Sequence, residues 1–390
     1  MSKWTKAKLW DCCQSISDGD HLPPPKTDSG IPFVTISDIH NNRFDLSNTR
    51  FVPEAYYEAI DQKRKIQKGD VLYSVVGSYG IPVFANESLK VAFQRHIAIL
   101  RPSGEIEPRF LYYSMLNRDF FLKADAVAVG AAQKTITLAA LRGLEIALPP
   151  LPIQRRIAAI LSDYDSAIDN ARRQIALLEE AAMRLYREWF VVHTDQKWEK
   201  GAVRKWFEIT IGRTPPRKIA ANFSESATDQ KWCSIKDLQN SNIFISETAE
   251  RLTKQGVDSS KIHISPAGTI FLSFKLTVGK VAITLEPMAT NEAIAHFETI
   301  DRALRDYTYC YLHEFQYDTL GSTSSIGKAI NSEIVRDMPF VMPDAKTLAR
   351  FSETVSPIFD QMQNRVVSIR SLTEARDRLL PKLMSGEIEV

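Results

Sequence analysis

The stretch Phe33-Val-Thr-Ile-Ser-Asp38-Ile39 returns later in the chain as Trp232-Cys-Ser-Ile-Lys-Asp237-Leu238. The two aspartates are 199 residues apart, and the same offset carries two further glycines onto glycines: Gly69 onto Gly268 and Gly80 onto Gly279. Since a single spacing fits three separate landmarks, the sequence predicts an internal duplication with a period of about half the chain.

Both repeats end in an apolar strand-like segment, then prolines, then a long helical pattern. Apolar or small residues recur there every three or four positions, which is the spacing of a coiled-coil seam. The first seam is Leu161, Tyr164, Ile168, Ala171, Ile175, Leu178, Ala182, Leu185 and Trp189. The second is weaker, with Arg376 among its positions: Val355, Ile358, Met362, Val366, Ile369, Leu372 and Leu379.

The first helical pattern would be about 60 Å long at 1.5 Å per residue. A helix of that length needs a partner for its apolar stripe, and the equivalent helix of the second repeat is the nearest candidate. We therefore expect two long antiparallel coiled-coil helices and two halves related by a pseudo-twofold axis. The alternative is that each helix folds back on its own domain.

The head of each repeat has short β-rich runs broken by Gly and Pro, together with an aromatic-rich helical stretch. The expected fold class is mixed α/β. The expected order is a first head at 1–151, a first long helix at 152–193, a linker at 194–201, a second head at 202–344, and a second long helix and tail at 345–390.

The amino-acid composition excludes disordered, collagen-like and mucin-like proteins. The chain has 390 residues, 44% hydrophobic and 25% charged, which is typical of a globular protein of two or more domains. No long uncharged apolar window is present, so we expect a cytoplasmic protein. Because the net charge is only +2, any binding of nucleic acid must depend on local patches.

The residues that usually carry catalysis or metal binding lack the necessary spacing. The four cysteines, Cys12, Cys13, Cys233 and Cys310, contain no Cys-x-x-Cys pair, and the seven histidines are dispersed. The chain has no dinucleotide-binding glycine motif and no His-Glu-x-x-His motif. We therefore expect no metal, no cofactor and no catalytic residues.

The run Leu148-Pro-Pro-Leu-Pro-Ile-Gln154-Arg155-Arg156-Ile157 precedes the first long helix, and the chain has the tail Arg378-Leu-Leu-Pro-Lys-Leu-Met-Ser-Gly-Glu-Ile388. The heads contain short motifs such as Gln94-Arg95-His96 and Thr290-Asn291-Glu292. Together these motifs resemble those of the DNA-specificity (S) subunits of type I restriction-modification systems. These motifs follow one another in the family's order over essentially the whole chain. The second helix departs from the pattern, because Asp344-Ala-Lys-Thr-Leu348 replaces the Leu-Pro-x-Gln of Leu151–Gln154.

The resemblance implies a subunit without catalysis of its own. Its two heads would be target-recognition domains that each read one half of a split double-stranded DNA sequence. Two methyltransferase (M) subunits would dock on the helices, and restriction/translocase (R) subunits would complete the complex. We expect Gln154, Arg155, Trp189 and Phe190 to contribute to docking, with packing inside the helical region as the alternative for Trp189 and Phe190.

Polar and basic residues in predicted loops are candidates for contact with bases, because Arg or Lys suits guanine and Gln or Asn suits adenine. In the first head these are Arg43, Ser78, Tyr79, Gln94, Arg95, Gln133 and Lys134. In the second head they are Arg213, Arg217, Lys275, Asn291, Ser325 and Lys328. Two other functions stay open: a coiled-coil interaction scaffold that does not bind DNA, and a divergent DNA-modifying enzyme.

Overall fold

The computed structural model describes residues 4–21, 24–131, 133–320 and 330–390. The chain divides into two compact units, Met1–Ile168 with Ser371–Val390, and Asp169–Arg370. Both long helices cross this division, so each unit contains a part of each helix. No helix within the described ranges is long and apolar enough to cross a membrane.

The first unit is built around a four-stranded antiparallel sheet in the order β2-β10-β7-β8. Smaller sheets have the orders β6-β3-β9, β4-β5 and β1-β11. The strands are β1 Thr5–Lys8, β2 Cys13–Asp18, β3 Ile31–Val34, β4 Ile39–His40, β5 Arg43–Phe44, β6 Arg50–Val52, β7 Val71–Ser74, β8 Pro82–Phe84, β9 Ala92–Phe93, β10 Ile97–Pro102 and β11 Glu145–Leu148. The helices are α1 Leu9–Cys12, α2 Glu54–Ala59, α3 Pro108–Leu116, α4 Arg118–Ala126, α5 Leu138–Gly143 and the long α6 Leu151–Tyr186.

The second unit repeats this plan, with a main sheet in the order β13-β21-β18-β19-β16 and smaller sheets β14-β17-β15-β20 and β12-β22. Its strands are β12 Glu199–Ala202, β13 Ile209–Ile211, β14 Phe223–Ser224, β15 Gln230–Cys233, β16 Phe244–Ile245, β17 Glu250–Leu252, β18 Ile270–Ser273, β19 Val281–Thr284, β20 Ala289–Thr290, β21 Ile294–Phe297 and β22 Pro339–Met342. Its helices are α7 Ile235–Asn240, α8 Lys254–Ser260, α9 Arg302–Glu314, α10 Ser332–Arg336 and the long α11 Ala345–Ser385.

The duplicated stretch that opens the sequence analysis has the same local structure in both units. Strand β3 pairs in parallel with β9, and its counterpart β15 pairs in parallel with β20. The aspartate of each stretch accepts a hydrogen bond from the backbone N–H three residues earlier, at 2.7 Å from Thr35 N to Asp38 and 2.9 Å from Ser234 N to Asp237. This reciprocal capping starts a helical turn directly after each strand. Because strand pairing and capping are the same in both units, the predicted duplication is confirmed, and the sheets and helices described above confirm the mixed α/β fold.

The predicted seams of the two long helices are buried or half-buried throughout. In the first unit, Ile157 and Leu161 of α6 share a core with Leu380 and Leu383 near the end of α11. In the second unit, the end of α6 packs on the start of α11, where the rings of Phe190 and Phe351 lie 4.8 Å apart. These contacts follow the order of an antiparallel pair.

The first long helix changes its winding before it ends. It is α-helical to Tyr186, and the predicted continuation, Arg187–Val192, is one turn of π-helix. The wider turn brings Phe190 into the core of the second unit while Val191 and Val192 stay exposed.

Candidate nucleic-acid interface

The loops at one end of the main sheet in the first unit lie against one another. In an antiparallel sheet ordered β2-β10-β7-β8, the ends of β2 and β7 meet the starts of β10 and β8. Backbone hydrogen bonds join these loops: Asp20 N–H donates to the Phe93 carbonyl at 2.7 Å, and Val75 N–H donates to the His96 carbonyl at 2.8 Å. We call residues 18–21, 75–81, 94–96 and 133–135 the first loop cluster.

The segment 133–135 joins this cluster from more distant sequence. Gly77 N–H donates to the Lys134 carbonyl at 3.2 Å. The Lys134 ammonium lies 2.7 Å from Asp125 Oδ1, and the Tyr79 hydroxyl donates to the same oxygen. Two hydrogen bonds, the more important from Lys134 and the lesser from Tyr79, hold the pKa of the Asp125 carboxyl below its usual range. The carboxylate therefore holds two of the predicted contact residues side by side.

The first loop cluster presents most of the candidate residues of the first head to solvent. Ser78, Arg95, Gln133 and Lys134 are exposed, while Tyr79 and Gln94 are half-buried. Arg43 is also exposed, on the β4–β5 hairpin. That hairpin lies near the cluster because the Asn42 amide donates to the Pro82 carbonyl at the start of β8, at 2.8 Å.

The second unit repeats the same backbone contacts at the same end of its sheet. Arg213 N–H donates to the Thr290 carbonyl at 2.9 Å, and Phe274 N–H donates to the Ala293 carbonyl at 3.0 Å. A side chain on Gly212 would have no room, because a Cβ there would lie 2.0 Å from Thr290 Oγ1. We call residues 211–214, 274–280 and 290–293 the second loop cluster.

Three candidate residues of the second head lie in this cluster. Arg213 and Lys275 are exposed, and Arg213 Nη1 donates to the Ser260 carbonyl at 2.9 Å. Asn291 is half-buried, and its side-chain oxygen accepts from Ala293 N–H at 3.2 Å, which closes the turn. Two further candidates of the second head, Ser325 and Lys328, lie outside the described residues.

Arg217 is exposed but already has a protein partner. Its guanidinium forms two hydrogen bonds to the Glu250 carboxylate, at 2.5 and 2.9 Å, and lies over the rings of Phe223 and Trp232. Bidentate pairing of this kind is among the stronger hydrogen-bonded contacts. A base contact by Arg217 would require it to leave Glu250.

The candidate docking residues divide into buried and accessible ones. Gln154 is only 1% exposed, and its amide contacts backbone groups of Glu107 and Pro149 at 2.9 and 2.8 Å. Phe190 is buried in the core of the second unit, and Trp189 is half-buried beside Arg350. Arg155 is exposed. The polar atoms of Gln154 and the ring of Phe190 are therefore occupied within the fold.

Two histidines dispersed in sequence meet in the second unit. His263, His296 and Glu298 place their potential metal-ligand atoms within 4.8 Å of one another. However, both ring nitrogens of the buried His296 are hydrogen-bonded, to Thr210 Oγ1 at 2.8 Å and Thr290 Oγ1 at 2.6 Å. His296 would have to give up one of these bonds to bind a metal, so the geometry favours a structural role for it.

The candidates predicted from the sequence did not include Asp125, which holds Lys134 and Tyr79, or Leu276, which is exposed in the β18–β19 loop of the second loop cluster. The signal for Leu276 was available, because the 199-residue offset places it opposite Gly77 in the β7–β8 loop. Asp125 had no local signal, since its two partners lie 46 and 9 residues away in sequence.

Comparisons with known proteins agree with the repeated architecture. A family model described as the type I restriction modification DNA specificity domain matches residues 1–180 and 195–364. The chain is similar to the HindI specificity subunit of Haemophilus influenzae, 22% identical over 475 aligned positions that cover 100% of both chains. It is also similar to the putative MjaX specificity subunit of Methanocaldococcus jannaschii, 23% identical over 418 positions covering 99% of this chain and 94% of that one. The solved S subunit from M. genitalium has the same fold, with a TM-score of 0.53 at 14% identity over 98% and 96% of the two chains. With most of its length matched by the family model, this chain belongs to the type I restriction-modification DNA specificity family.

Proposed function

We propose that this chain reads an asymmetric, bipartite double-stranded DNA target, with one half-site for each loop cluster. The observation that carries the proposal is that the two units build the same backbone frame at the same end of the sheet and place different side chains on it. At the tip of the β7–β8 loop the first cluster has Gly77, Ser78 and Tyr79, whereas the β18–β19 loop of the second cluster has Leu276, Thr277 and Val278 at the positions 199 residues later. Unlike side chains in like positions would select unlike half-sites.

Base reading by these loops requires access to the major groove, where all four base-pair orientations differ in their donors and acceptors. Gln94 and Asn291 occupy equivalent positions, since the backbone N–H of each donates to the duplicated strand of its own unit, at 3.0 Å to Val34 O of β3 and 3.1 Å to Cys233 O of β15. Both carry a primary amide, the group suited to adenine. We therefore assign adenine contacts to Gln94 and Asn291.

The two recognition modules, 1–151 and 202–344, would be separated by the helices at 152–193 and 345–390, with 194–201 as the linker. Two modules that read the same side of a duplex must be spaced by about one helical turn, roughly 10 bp between half-site centres, or a near multiple. The helices would set this distance. They would also carry the two methyltransferase subunits, and restriction subunits would complete the complex.

In this proposal the chain itself is non-catalytic and uses no cofactor. With a net charge of +2, it would gain little from phosphate attraction, and its partners would supply much of that contact. Gel shifts should show weak DNA binding by the isolated chain and tight binding with the methyltransferase subunit. Tight, specific binding by the chain alone would contradict this division of roles.

The bipartite target is tested by mapping methylated adenines genome-wide in cells that carry this chain and its partners. We expect two different half-sites separated by a fixed gap. A Gln94→Ala variant should lose discrimination at one base pair of the first half-site only. Gln67→Ala is the matched control, because Gln67 is an exposed glutamine near the start of β7, at the other end of the sheet. A continuous or palindromic target would refute the proposal.

Docking on the helices is tested at Arg155, which is exposed near the start of α6. Arg155→Glu should reduce co-purification with the methyltransferase subunit. Arg118→Glu reverses a charge at an exposed position of α4 and should leave co-purification unchanged. Equal yields of partner with both variants would exclude this part of α6 from the docking surface.

A further inference from the structure

We infer that Leu276 reads the C5-methyl group of a thymine in the second half-site. The inference rests on the proposed function and adds to it a specificity-determining residue with a stated chemical target. Leu276 lies at the tip of the β18–β19 loop, in the second loop cluster.

The backbone at Leu276 has a conformation that bulky residues rarely adopt. Its φ is +64°, in the left-handed region, where the Cβ of an L-residue crowds the following carbonyl. The equivalent residue of the first unit is Gly77, with a φ of +73°. The shared loop therefore requires a left-handed residue here, and glycine satisfies that requirement without strain.

Packing does not explain why a leucine stands at this position. Leu276 is 89% exposed, the next residue but one, Val278, is 40% exposed, and the intervening Thr277 is also exposed. A large apolar side chain that is exposed to water on a strained backbone indicates a role other than stabilising the fold.

The loop holds Leu276 in a defined place. Gly279 N–H donates to the Ser273 carbonyl at 2.9 Å, and Lys280 N–H donates to Ser273 Oγ at 3.0 Å, which closes the base of the loop. The Gln239 amide donates to Thr277 Oγ1 beside the tip. Fixing the tip before DNA arrives lowers the entropic cost of a contact there.

The position of the tip determines the chemistry available to it. Phe274 N–H donates to the Ala293 carbonyl, so the loop begins beside the turn of Asn291, which we assign to adenine. Leucine has no hydrogen-bonding group with which to read a base edge. The thymine methyl is the apolar group that the major groove presents, and it marks the partner of an adenine.

The test measures DNA binding by the complex of this chain with its methyltransferase partner, using the target found by methylation mapping. The second half-site is the half that changes when residues 202–344 are exchanged for those of another family member. Each thymine in it is replaced in turn by deoxyuridine, which lacks only the methyl group. One replacement should weaken binding about fourfold, the effect of returning one methyl group to water.

The Leu276→Ala variant should bind the unmodified target more weakly and should be insensitive to that same deoxyuridine. Leu276→Gly restores the residue type of the first unit, so it should melt at the same or a higher temperature and still lose affinity. Leu276→Asn places a polar residue that tolerates the left-handed conformation at this position, and it should lose the discrimination between thymine and deoxyuridine.

Several results would overturn the inference: a second half-site without thymine, equal deoxyuridine sensitivity in the wild type and Leu276→Ala, or loss of methyltransferase co-purification in the leucine variants. In the first two cases, a bipartite methylation pattern would still support the proposed function. Absence of any sequence-specific methylation by the wild-type complex would instead refute the proposed function itself.

Discussion

The buried histidine of the second unit should make that unit sensitive to mild acid. His296 lies between the hydroxyls of Thr210 and Thr290, on strand β21 of the main sheet. Burial, and secondarily the nearby His263, lowers the pKa of His296 to about 3. An imidazolium there could not accept a hydrogen bond from either hydroxyl and would lie in an apolar interior.

The direction of the effect follows from the protons bound in each state. The unfolded chain takes up a proton on this side chain below a pKa of about 6.5, whereas the folded chain does not until much lower pH. Stability therefore falls as the pH drops through 6.5 towards 3, at about 1.4 kcal/mol per pH unit. Between pH 7.5 and pH 5, His296 alone should cost about 2 kcal/mol of the free energy of unfolding.

The measurement compares the wild type with His296→Gln, whose amide donates one hydrogen bond and accepts another but does not titrate. Urea unfolding is followed by tryptophan fluorescence, since Trp232 is buried in the same unit. The glutamine variant should be less stable at pH 7.5, and the wild-type advantage should shrink by about 2 kcal/mol at pH 5. His193→Gln, at an exposed histidine of the same unit, is the matched control. An advantage that stays constant with pH would refute the assignment.

Three further changes test the fold and the loop clusters. Tyr113→Phe should lower the free energy of unfolding by about 1.5–3 kcal/mol, because the buried hydroxyl donates to Asp165 Oδ2 at 2.6 Å, and a urea titration showing no loss would contradict this. Gly212→Ala should lower the free energy of unfolding, measured in urea, by about 3 kcal/mol, because its Cβ would lie 2.1 Å from the Asn291 carbonyl oxygen. The control is Gly104→Ala, whose Cβ would point into open space and whose free energy of unfolding should stay within about 0.5 kcal/mol of the wild type. Arg95 is exposed in the first loop cluster, and Arg95→Gln should reduce the discrimination at one base pair by about 1–3 kcal/mol in competition binding. An equal loss of affinity for every DNA sequence would instead indicate a phosphate contact.

Features with a local or periodic signal could be predicted from the sequence. The duplication was visible because a strand followed by a capped turn needs particular residues in a short stretch, as at Asp38 and Asp237. The helix seams were visible because burial along a helix recurs every three or four residues. Predictions of this kind do not depend on knowing which distant segments meet.

Side-chain partners from distant sequence could not be predicted in this way. Nothing near Arg217 reveals that Glu250, 33 residues later, accepts two of its hydrogen bonds. Gln154 follows a proline-rich turn and was expected at a docking surface, yet its amide satisfies the backbone of a loop 47 residues earlier. A polar residue is exposed or buried according to what packs over it, and only the fold decides that.

The placement of both loop clusters at the ends of strands has a consequence for how this protein can change. Ser78, Arg95 and Lys275 contribute no apolar packing to the interiors, which are filled by residues such as Leu72 and Phe271. Replacing Ser78, Arg95 or Lys275 changes the surface of a loop cluster and leaves the packed interior unchanged. Under the proposed function, a lineage could therefore acquire a new sequence preference through a few surface replacements, one half of the target at a time.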